Sequence, residues 1–322
     1  MIFHNRAGPA PEEALISDTT EARRVDRQSL ECMAVRLEAS GDYRILRRLE
    51  PRANYHAPDG TPTRRGIFLD VETTGLDPAT DEIVELAMVP FDFASDGRIF
   101  AVHEPFSRFR DPGRPIPAAV TALTGITDAM VAGESIDAAE VEAFLGPAAA
   151  LVIAHNAGFD RRFVEKLCDA FVTLPWACSW AEVPWADEGF DSAKLGHLAV
   201  AQGFFHDGHR GVRDCHVGIE ILTRTLPRTG RTAMSVLLES ARQPRWRIWA
   251  VRAPFEHKDC LKRRGYRWCD GSDGRSRAWS VDVADHALES ELAFLRREIY
   301  RRHDVDIDAR RISAFERYSG RA

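Results

Sequence analysis

Two acidic side chains follow a short apolar run in the middle of the chain. Asp70 and Glu72 come directly after residues 67–69, an apolar run that predicts a buried strand. Residues at i and i+2 of a strand project to the same side. Two like charges at that distance repel unless one is protonated or a cation lies between them, and oxygen ligands suit Mg²⁺ or Mn²⁺. The pair therefore predicts a metal site, whereas an isolated pair of this kind is more often a solvated strand end.

Two further carboxylates stand where predicted helices begin. Asp160 opens a helix after the apolar residues 151–154, and Asp214 lies at the start of the helix predicted over 212–226. Converging acids are what a site for two cations requires. His209 precedes Asp214 in a polar loop, where a mobile imidazole could accept a proton. Taken singly, an aspartate at a helix start is explained by the helix dipole, and a loop histidine by exposure to solvent.

The elements that must position these residues form an α/β pattern. Three strands in succession suggest an antiparallel meander, and alternating helices and strands follow it. The predicted strands cover 67–69, 82–89, 98–109, 151–154 and 176–180. The predicted helices cover 117–123, 137–145, 160–170, 192–201 and 212–226. This order predicts a mixed five-stranded sheet flanked by helices.

Charge divides the chain into parts that face different partners. The whole sequence has a net charge of −6, but residues 66–226 hold 11 basic and 25 acidic residues, net −14. Residues 242–279 hold 11 basic and 4 acidic residues, net +7. We therefore expect an acidic α/β unit over 63–228 and a small basic α+β module over 243–302.

The remaining segments predict flanking regions. Residues 1–62 suggest an extension with one or two helices, among them 29–38, and a linker near 51–62. Residues 303–322 suggest a polar tail. The six cysteines form no C-x-x-C pair, which argues against a zinc site, and no apolar stretch has the length of a membrane span or signal peptide. We expect a cytoplasmic protein with reduced thiols and no membrane partner.

Three motifs, taken together, resemble a known enzyme family. Residues 70–75, 155–160 and 209–214 are similar, in this order, to the three motifs of the DEDD superfamily of 3′–5′ exonucleases. The likeness is to its histidine-bearing branch, typified by the proofreading subunit epsilon of bacterial DNA polymerase III. Residues 124–127 also match a Gly-Ile-Thr segment of that family, although Thr124 stands where such members often have histidine. The resemblance covers about residues 65–226 and implies an RNase H-like fold.

The resemblance also implies roles for individual residues. Four acids would hold two Mg²⁺ or Mn²⁺ ions: Asp70, Glu72, Asp160 and Asp214. His209 would take a proton from the attacking water. Contacts to the terminal nucleotide would come from Thr73, Thr74, Gly75 and Asn156. The implied reaction releases nucleoside 5′-monophosphates from DNA 3′ ends in proofreading or repair, with a polymerase or repair protein as a partner.

Two alternatives stay open. One is an exoribonuclease that trims RNA, because a metal site contacts phosphate and does not itself distinguish the sugar. The other is a nucleic-acid-binding module whose nuclease unit is only a scaffold, although a scaffold has no need of four acids and His209.

Aromatic residues are concentrated in the basic module. Four of the seven tryptophans of the chain lie there: Trp246, Trp249, Trp268 and Trp279. Aromatic side chains among lysines and arginines could stack bases and hold phosphates. In a unit of this size, the same tryptophans could equally be its core.

Overall fold

The chain forms two compact units, Met1–Leu46 and Arg47–Ala322. A computed structural model describes residues 26–269, 271 and 277–320. In the first unit, helix α1 (Arg27–Ala39) begins after Asp26, whose carboxylate accepts a hydrogen bond from the Ser29 N–H at 3.0 Å. The helix predicted over 29–38 is thus present. Residues 1–25, 270, 272–276 and 321–322 lie outside the described residues.

The second unit contains the α/β fold and the basic module. Its strands are β1 (Arg47–Arg48), β2 (Thr63–Thr73), β3 (Ile83–Ala94), β4 (Ile99–Val102), β5 (Phe106–Phe109), β6 (Ala149–Ala154), β7 (Trp176–Cys178), β8 (Phe204–Phe205), β9 (Arg245–Val251), β10 (Arg267–Cys269), β11 (Ala278–Ala284) and β12 (Asp308–Ile312). Its helices are α2 (Ala118–Thr124), α3 (Asp128–Val131), α4 (Ala138–Leu145), α5 (Ala157–Leu167), α6 (Ala170–Thr173), α7 (Leu195–Ala201), α8 (Gly211–Thr223), α9 (Ala233–Arg242), α10 (Lys258–Arg263) and α11 (Leu288–Phe294), the last followed by a π-helical turn at Leu295–Tyr300.

A mixed sheet with helices on both faces confirms the predicted α/β class. Its order is β4-β3-β2-β6-β7, and β5 also pairs with β3. Strand β3 runs antiparallel to β2, β4 and β5, whereas β2, β6 and β7 run parallel to one another. The sheet has six strands instead of the five predicted.

The extra strand comes from the segment predicted as one strand over 98–109. It forms β4 and β5, which pair with different parts of β3, so that Val102 lies opposite Phe91 and Phe109 lies opposite Glu85. Pro105 stands between the two strands. Because proline has no N–H to donate to a ladder, it interrupts continuous pairing at that point.

Strand β2 at the middle of the sheet divides the core into two layers. Phe68 packs with helices α7, α8 and α9, while Ile67 and Leu69 point to the opposite layer of α4, α5 and α6. Gly218 lets α8 come close to the sheet, because a Cβ atom there would lie 2.0 Å from the Phe68 ring. Asp70 and Glu72 continue the alternation of Phe68 and therefore project toward α8.

The predicted linker packs on the α/β unit. The Tyr55 hydroxyl donates to Glu220 at 2.8 Å, and His56 Nδ1 lies 2.7 Å from the Ile99 carbonyl oxygen. Turn-forming residues in a sequence indicate the local backbone conformation. They do not indicate whether the segment packs against the rest of the protein. The compact unit accordingly begins at Arg47, before the predicted boundary at residue 63.

The basic module is an antiparallel sheet with a small core. Its strand order is β10-β11-β9-β12, with Ala309 opposite Ile248. Buried side chains from the sheet and helices fill this core, namely Ile248, Leu261, Tyr266, Leu295 and Ile299. Strand β12 lies in the segment predicted to be a polar tail over 303–322, so the structure corrects that prediction.

The residues after β12 are buried in the α/β unit. The Arg317 guanidinium donates to Glu182 at 2.9 Å and to the Gln243 carbonyl oxygen at 2.6 Å. Arg161, also fully buried, donates to the carbonyl oxygens of Phe315 and Arg317 at 2.7 and 2.6 Å. These hydrogen bonds fix the C-terminal segment and the basic module to the α/β unit. In the described part of the chain, no helix combines the length and apolar content needed to cross a membrane.

Replacing Arg317 by alanine should destabilise the protein by about 3–5 kcal/mol, because the Glu182 carboxylate would remain buried without its cation. The measurement is the free energy of unfolding in urea. Adding Glu182→Gln to an Arg317→Met variant should recover part of the loss, since it removes the uncompensated charge. Arg310→Ala on the exposed face of β12 is the control, with an expected change within about 0.5 kcal/mol. A small effect of Arg317→Ala would contradict the proposed stabilising role.

Candidate active site

Three of the predicted acids meet at the end of β2. Asp70 and Glu72 lie on this strand, and Asp214 lies in the first turn of α8. Ligand oxygen atoms of these three residues all lie within 4.8 Å of one another. The strand alternation and the close approach of α8 therefore produce a cluster that could hold a divalent cation.

Asp160 adjoins this cluster from the opposite helix layer. It lies in the first turn of α5 and is 3% exposed. One carboxylate oxygen, Oδ1, accepts a hydrogen bond from the Val71 N–H at 3.2 Å. Since Val71 stands between Asp70 and Glu72, this bond connects α5 to the strand that carries the other acids. Asp160 is near enough for its charge to raise the pKa of Asp70.

Burial and mutual repulsion dominate the electrostatics of the cluster. The pKa of Asp70 is raised well above its ordinary range, first by burial and then by the charges of Asp160, Asp214 and Glu72. Burial, followed by repulsion from Asp214, raises the pKa of Glu72 to about 8. Burial also raises the pKa of Asp160. Such carboxylates ionise readily only when a cation offsets their repulsion, so the donor set fits divalent metal.

Asp214 is held by two groups from the preceding loop. His206 Nε2 lies 2.8 Å from Asp214 Oδ1, and the Arg210 N–H donates to Oδ2 at 3.0 Å. His209 is exposed and has a left-handed backbone, with φ of 62°. The structure thus brings His206 into contact with Asp214. Among the described residues, no acid forms a hydrogen bond or ion pair with His209. The sequence offered only the shared loop as a signal for His206.

Glu85 is a fifth carboxylate beside these four and is buried. It lies opposite Glu72 in the pairing of β2 with β3 and is 2% exposed. Its oxygens accept hydrogen bonds from the Gly211 N–H at 3.4 Å and the Ser107 hydroxyl at 3.3 Å. These donors support a structural role, in which Glu85 holds the start of α8 against β3.

The threonines predicted to touch substrate form hydrogen bonds within their turn. The Thr73 hydroxyl donates to the Gly75 carbonyl oxygen at 2.6 Å, and the Thr74 hydroxyl donates to Asp81 at 3.1 Å. A Cβ atom on Gly75 would lie 2.5 Å from the Asp81 carboxylate, so any other residue there would displace that carboxylate. Asn156 is exposed, with a left-handed φ of 78°, just before α5. Contacts of these four residues to substrate stay predictions.

His155, in the second motif, is a structural residue in this geometry. Its ring nitrogens lie 2.9 Å from the Ser179 hydroxyl and 2.9 Å from the Ala193 carbonyl oxygen. Burial lowers its pKa to about 4, so the ring is neutral near pH 7. The two contacts fix the chain where β6 leads into α5 and Asp160.

The family match follows the same residues. The exonuclease family model RNase_T matches residues 67–222, which include all four acids and His209. We call residues 67–222 the exonuclease domain, after the family that they match. The acidic cluster lies within these residues.

Curated relatives match the exonuclease domain over part of their own length. A DNA polymerase III subunit epsilon-like protein of Rhodobacter capsulatus is 45% identical over 102 residues, which are 31% of this chain and 14% of that protein. The 3′-5′ exonuclease DinG of Bacillus subtilis is 34% identical over 162 residues, 48% of this chain and 17% of that protein. A PolC-type DNA polymerase III of Halalkalibacterium halodurans is 40% identical over 102 residues, which are 31% of this chain and 7% of that protein. The chain spans less than a fifth of each of these relatives.

Solved structures show a weaker likeness. Exonuclease X, in complex with 5′ overhanging duplex DNA, is 24% identical with a TM-score of 0.36, covering 54% of this chain and 90% of that chain. E. coli exonuclease I in a zinc-bound complex with single-stranded DNA is 16% identical with a TM-score of 0.47, covering 74% and 68%. Similarity at this level carries no conclusion about substrate.

The raised pKa values predict how stability depends on pH. The ordinary pKa of a glutamate is 4.5, and that of Glu72 in the folded protein is about 8. When a chelator keeps metal away, the folded protein therefore binds more protons than the unfolded chain between these two pH values. Stability should therefore fall as pH rises through this interval. Mg²⁺ should raise the melting temperature more at the alkaline end, because the metal replaces the protons.

Melting curves in EDTA and in Mg²⁺ measure this effect across the interval. Glu72→Gln should flatten the pH dependence in EDTA, whereas Glu142→Gln, at an exposed position of α4, should not. A melting temperature in EDTA that is constant or rises with pH would contradict the assignment.

Proposed function

We propose that this protein is a metal-dependent 3′–5′ exonuclease that hydrolyses DNA from 3′ ends and releases nucleoside 5′-monophosphates. The observation that carries the proposal is the cluster of Asp70, Glu72 and Asp214, with Asp160 bonded behind it, inside an exonuclease domain. A binding scaffold would gain nothing from repelling carboxylates held in a buried position.

The proposed metal ligands are Asp70, Glu72, Asp160 and Asp214, which would hold two Mg²⁺ or Mn²⁺ ions. Carboxylate oxygens are the ligands that these cations prefer. When bound, such ions lower the pKa of a coordinated water and offset charge on the attacking and leaving oxygens. The contribution of the chain is to hold the four acids in place: β2 orients two of them, α8 the third and α5 the fourth.

His209 is the proposed general base. Its loop is exposed, so the imidazole can approach a bound substrate and withdraw, and histidine is the side chain that most often transfers protons in enzymes. His206, in contact with Asp214, is the proposed positioning residue for that carboxylate. Thr73, Thr74, Gly75 and Asn156 are proposed to contact the terminal nucleotide.

DNA is the proposed substrate because curated relatives of the domain are named as DNA polymerase III proteins. The same names support a polymerase or repair protein as a proposed partner. RNA is the second candidate, since a metal cluster that binds phosphate does not itself distinguish the two sugars.

Loss of Asp70 should abolish hydrolysis without loss of folding. Mutation of an outer-shell partner of a metal ligand typically lowers activity about 10–100-fold. Removal of a ligand itself should therefore lower the rate by more than about 100-fold. The assay follows end-labelled DNA and RNA, single and double stranded, with and without Mg²⁺. Asp70→Ala, Glu72→Ala and Asp160→Ala should each be inactive. Asp70→Ala and Glu72→Ala should melt at an equal or higher temperature in EDTA because each relieves repulsion, whereas Asp160→Ala also loses the hydrogen bond from the Val71 N–H.

Glu142→Ala is the matched control, an exposed acid of the same domain. It should digest DNA at the wild-type rate. Release of label from the 5′ end only, or digestion by Asp70→Ala at the wild-type rate, would overturn the proposed function. Digestion of RNA but not DNA would instead support the second candidate.

His209→Ala and His206→Ala should differ in kind. Loss of a general base should lower turnover by about 10²–10⁴-fold, with substrate affinity retained. The deficit of His209→Ala should narrow above neutrality, since hydroxide then needs no base. His206→Ala should mainly raise the Mg²⁺ concentration needed for half-maximal rate. If the two phenotypes are exchanged, His206 is the base; a rate within twofold of wild type would remove His209 from the mechanism.

A further inference from the structure

The aromatic residues of the basic module fall into two sets. Trp249, Tyr266 and Trp279 are buried or nearly so, with exposed fractions of 9%, 3% and 9%. Phe255 and Trp268 are exposed, at 76% and 53%. Core packing therefore explains the first set and leaves the second without a structural reason. Exposing large aromatic rings to water is unfavourable, so rings that stay exposed often mark a binding surface.

Two lysines of helix α10 lie against aromatic rings of the module. Lys258 Nζ lies 4.2 Å from the centre of the Phe255 ring, and Lys262 Nζ lies 5.9 Å from the centre of the Trp279 ring. Lys258 and Lys262 are four residues apart on α10 and thus on one helix face. Trp268 and Trp279 lie opposite each other in the β10–β11 pair, with ring centres 5.4 Å apart. Phe255, Lys258, Lys262 and Trp268 therefore form one continuous patch, here called the stacking surface.

The positive charge of this surface is available to a ligand. Among the contacts of the described residues, neither Lys258 nor Lys262 forms an ion pair with a carboxylate. Arg264 of the same helix end is different, because it pairs with Glu291 at 2.9 Å and stacks on Phe294. The arginine is used by the module's own structure, whereas Lys258 lies against the exposed Phe255 ring and Lys262 against the Trp279 ring that Trp268 contacts.

We propose that the stacking surface binds single-stranded nucleic acid, with bases on Phe255 and Trp268 and phosphates at Lys258 and Lys262. Exposed aromatic faces next to ammonium groups are the features that proteins use for unpaired strands, because every base has a face that can stack. A duplex keeps its bases stacked on one another and would offer only its phosphates. The surface would thus select the unpaired part of a substrate.

This inference rests on the proposed function, since it takes nucleic acid to be the substrate, and it adds a preference for single strands. The surface belongs to the same compact unit as the exonuclease domain, and the buried Arg317 and Arg161 contacts fix the module there. Binding at this surface would hold an unpaired strand on the enzyme between successive hydrolytic steps. The effect should appear in KM and in affinity.

The test measures binding without hydrolysis. Fluorescence anisotropy of a labelled oligothymidylate of about 20 nucleotides, in EDTA, reports the Kd of the full chain. Phe255→Ala and Trp268→Ala should each weaken binding by about fivefold or more, the usual effect of losing one stacked base. Phe315→Ala is the matched control, because Phe315 is 49% exposed in the same unit but lies outside the stacking surface. It should bind as the wild type does.

Salt dependence tests the lysines separately. Each phosphate contact to a single strand contributes about 0.7 to the slope of log affinity against log salt concentration. Lys258→Gln combined with Lys262→Gln should therefore reduce the slope by about 1.4. Arg301→Gln combined with Arg310→Gln removes the same charge from exposed positions outside the surface. This control should reduce the slope by less than the two lysine substitutions do.

The outcomes separate this inference from the proposed function. Wild-type affinity in both Phe255→Ala and Trp268→Ala would overturn the inference, even in a protein that digests DNA; a protein partner would then be the occupant to seek. An equal loss of affinity for blunt duplex would also overturn it, because stacking on unpaired bases would not be the cause. Weaker single-strand binding by these variants in a chain that hydrolyses no DNA would uphold the surface and refute the exonuclease.

Discussion

Repulsion among closely spaced carboxylates is the constraint on which the rest of this structure depends. Asp70, Glu72 and Asp214 have oxygens within 4.8 Å of one another, and Asp160 adds a fourth charge that acts on Asp70. Left to themselves, such groups would move apart or take up protons. The fold prevents the first by rigid packing: β2 is paired on both sides, and Gly218 seats α8 against the Phe68 ring. A divalent cation would relieve the repulsion that remains.

The same support extends through α5 to the C-terminal segment. Asp160 is followed by Arg161, whose guanidinium is fully buried and donates to carbonyl oxygens of residues after β12. Arg317 in that segment pairs in turn with Glu182, which is itself buried. A buried pair of this kind contributes little net stability but is costly to break. The helix that carries one proposed metal ligand is therefore held by residues far away in the sequence.

The basic module shows how one composition can serve two purposes. Its tryptophans and lysines are close together in the sequence, and a small unit needs aromatic side chains for its core. Packing has taken Trp249, Tyr266 and Trp279 into that core, while Phe255 and Trp268 remain exposed, the former beside Lys258. Structural roles and the proposed binding role are thus distributed residue by residue within one short segment.

The sequence by itself determined the α/β class, the strand end that carries Asp70 and Glu72, and the helix starts at Asp160 and Asp214. These features are local, because alternation and helix start signals act over a few residues. Contacts between distant residues were decided only by the tertiary structure. They include the division of 98–109 into two strands, the packing of residues 51–62, the burial of Arg317 beside Glu182, and the choice of His206 as the neighbour of Asp214. A polar segment such as 303–322 predicts exposure until a partner for its charge is known, and that partner lies more than a hundred residues earlier in the chain.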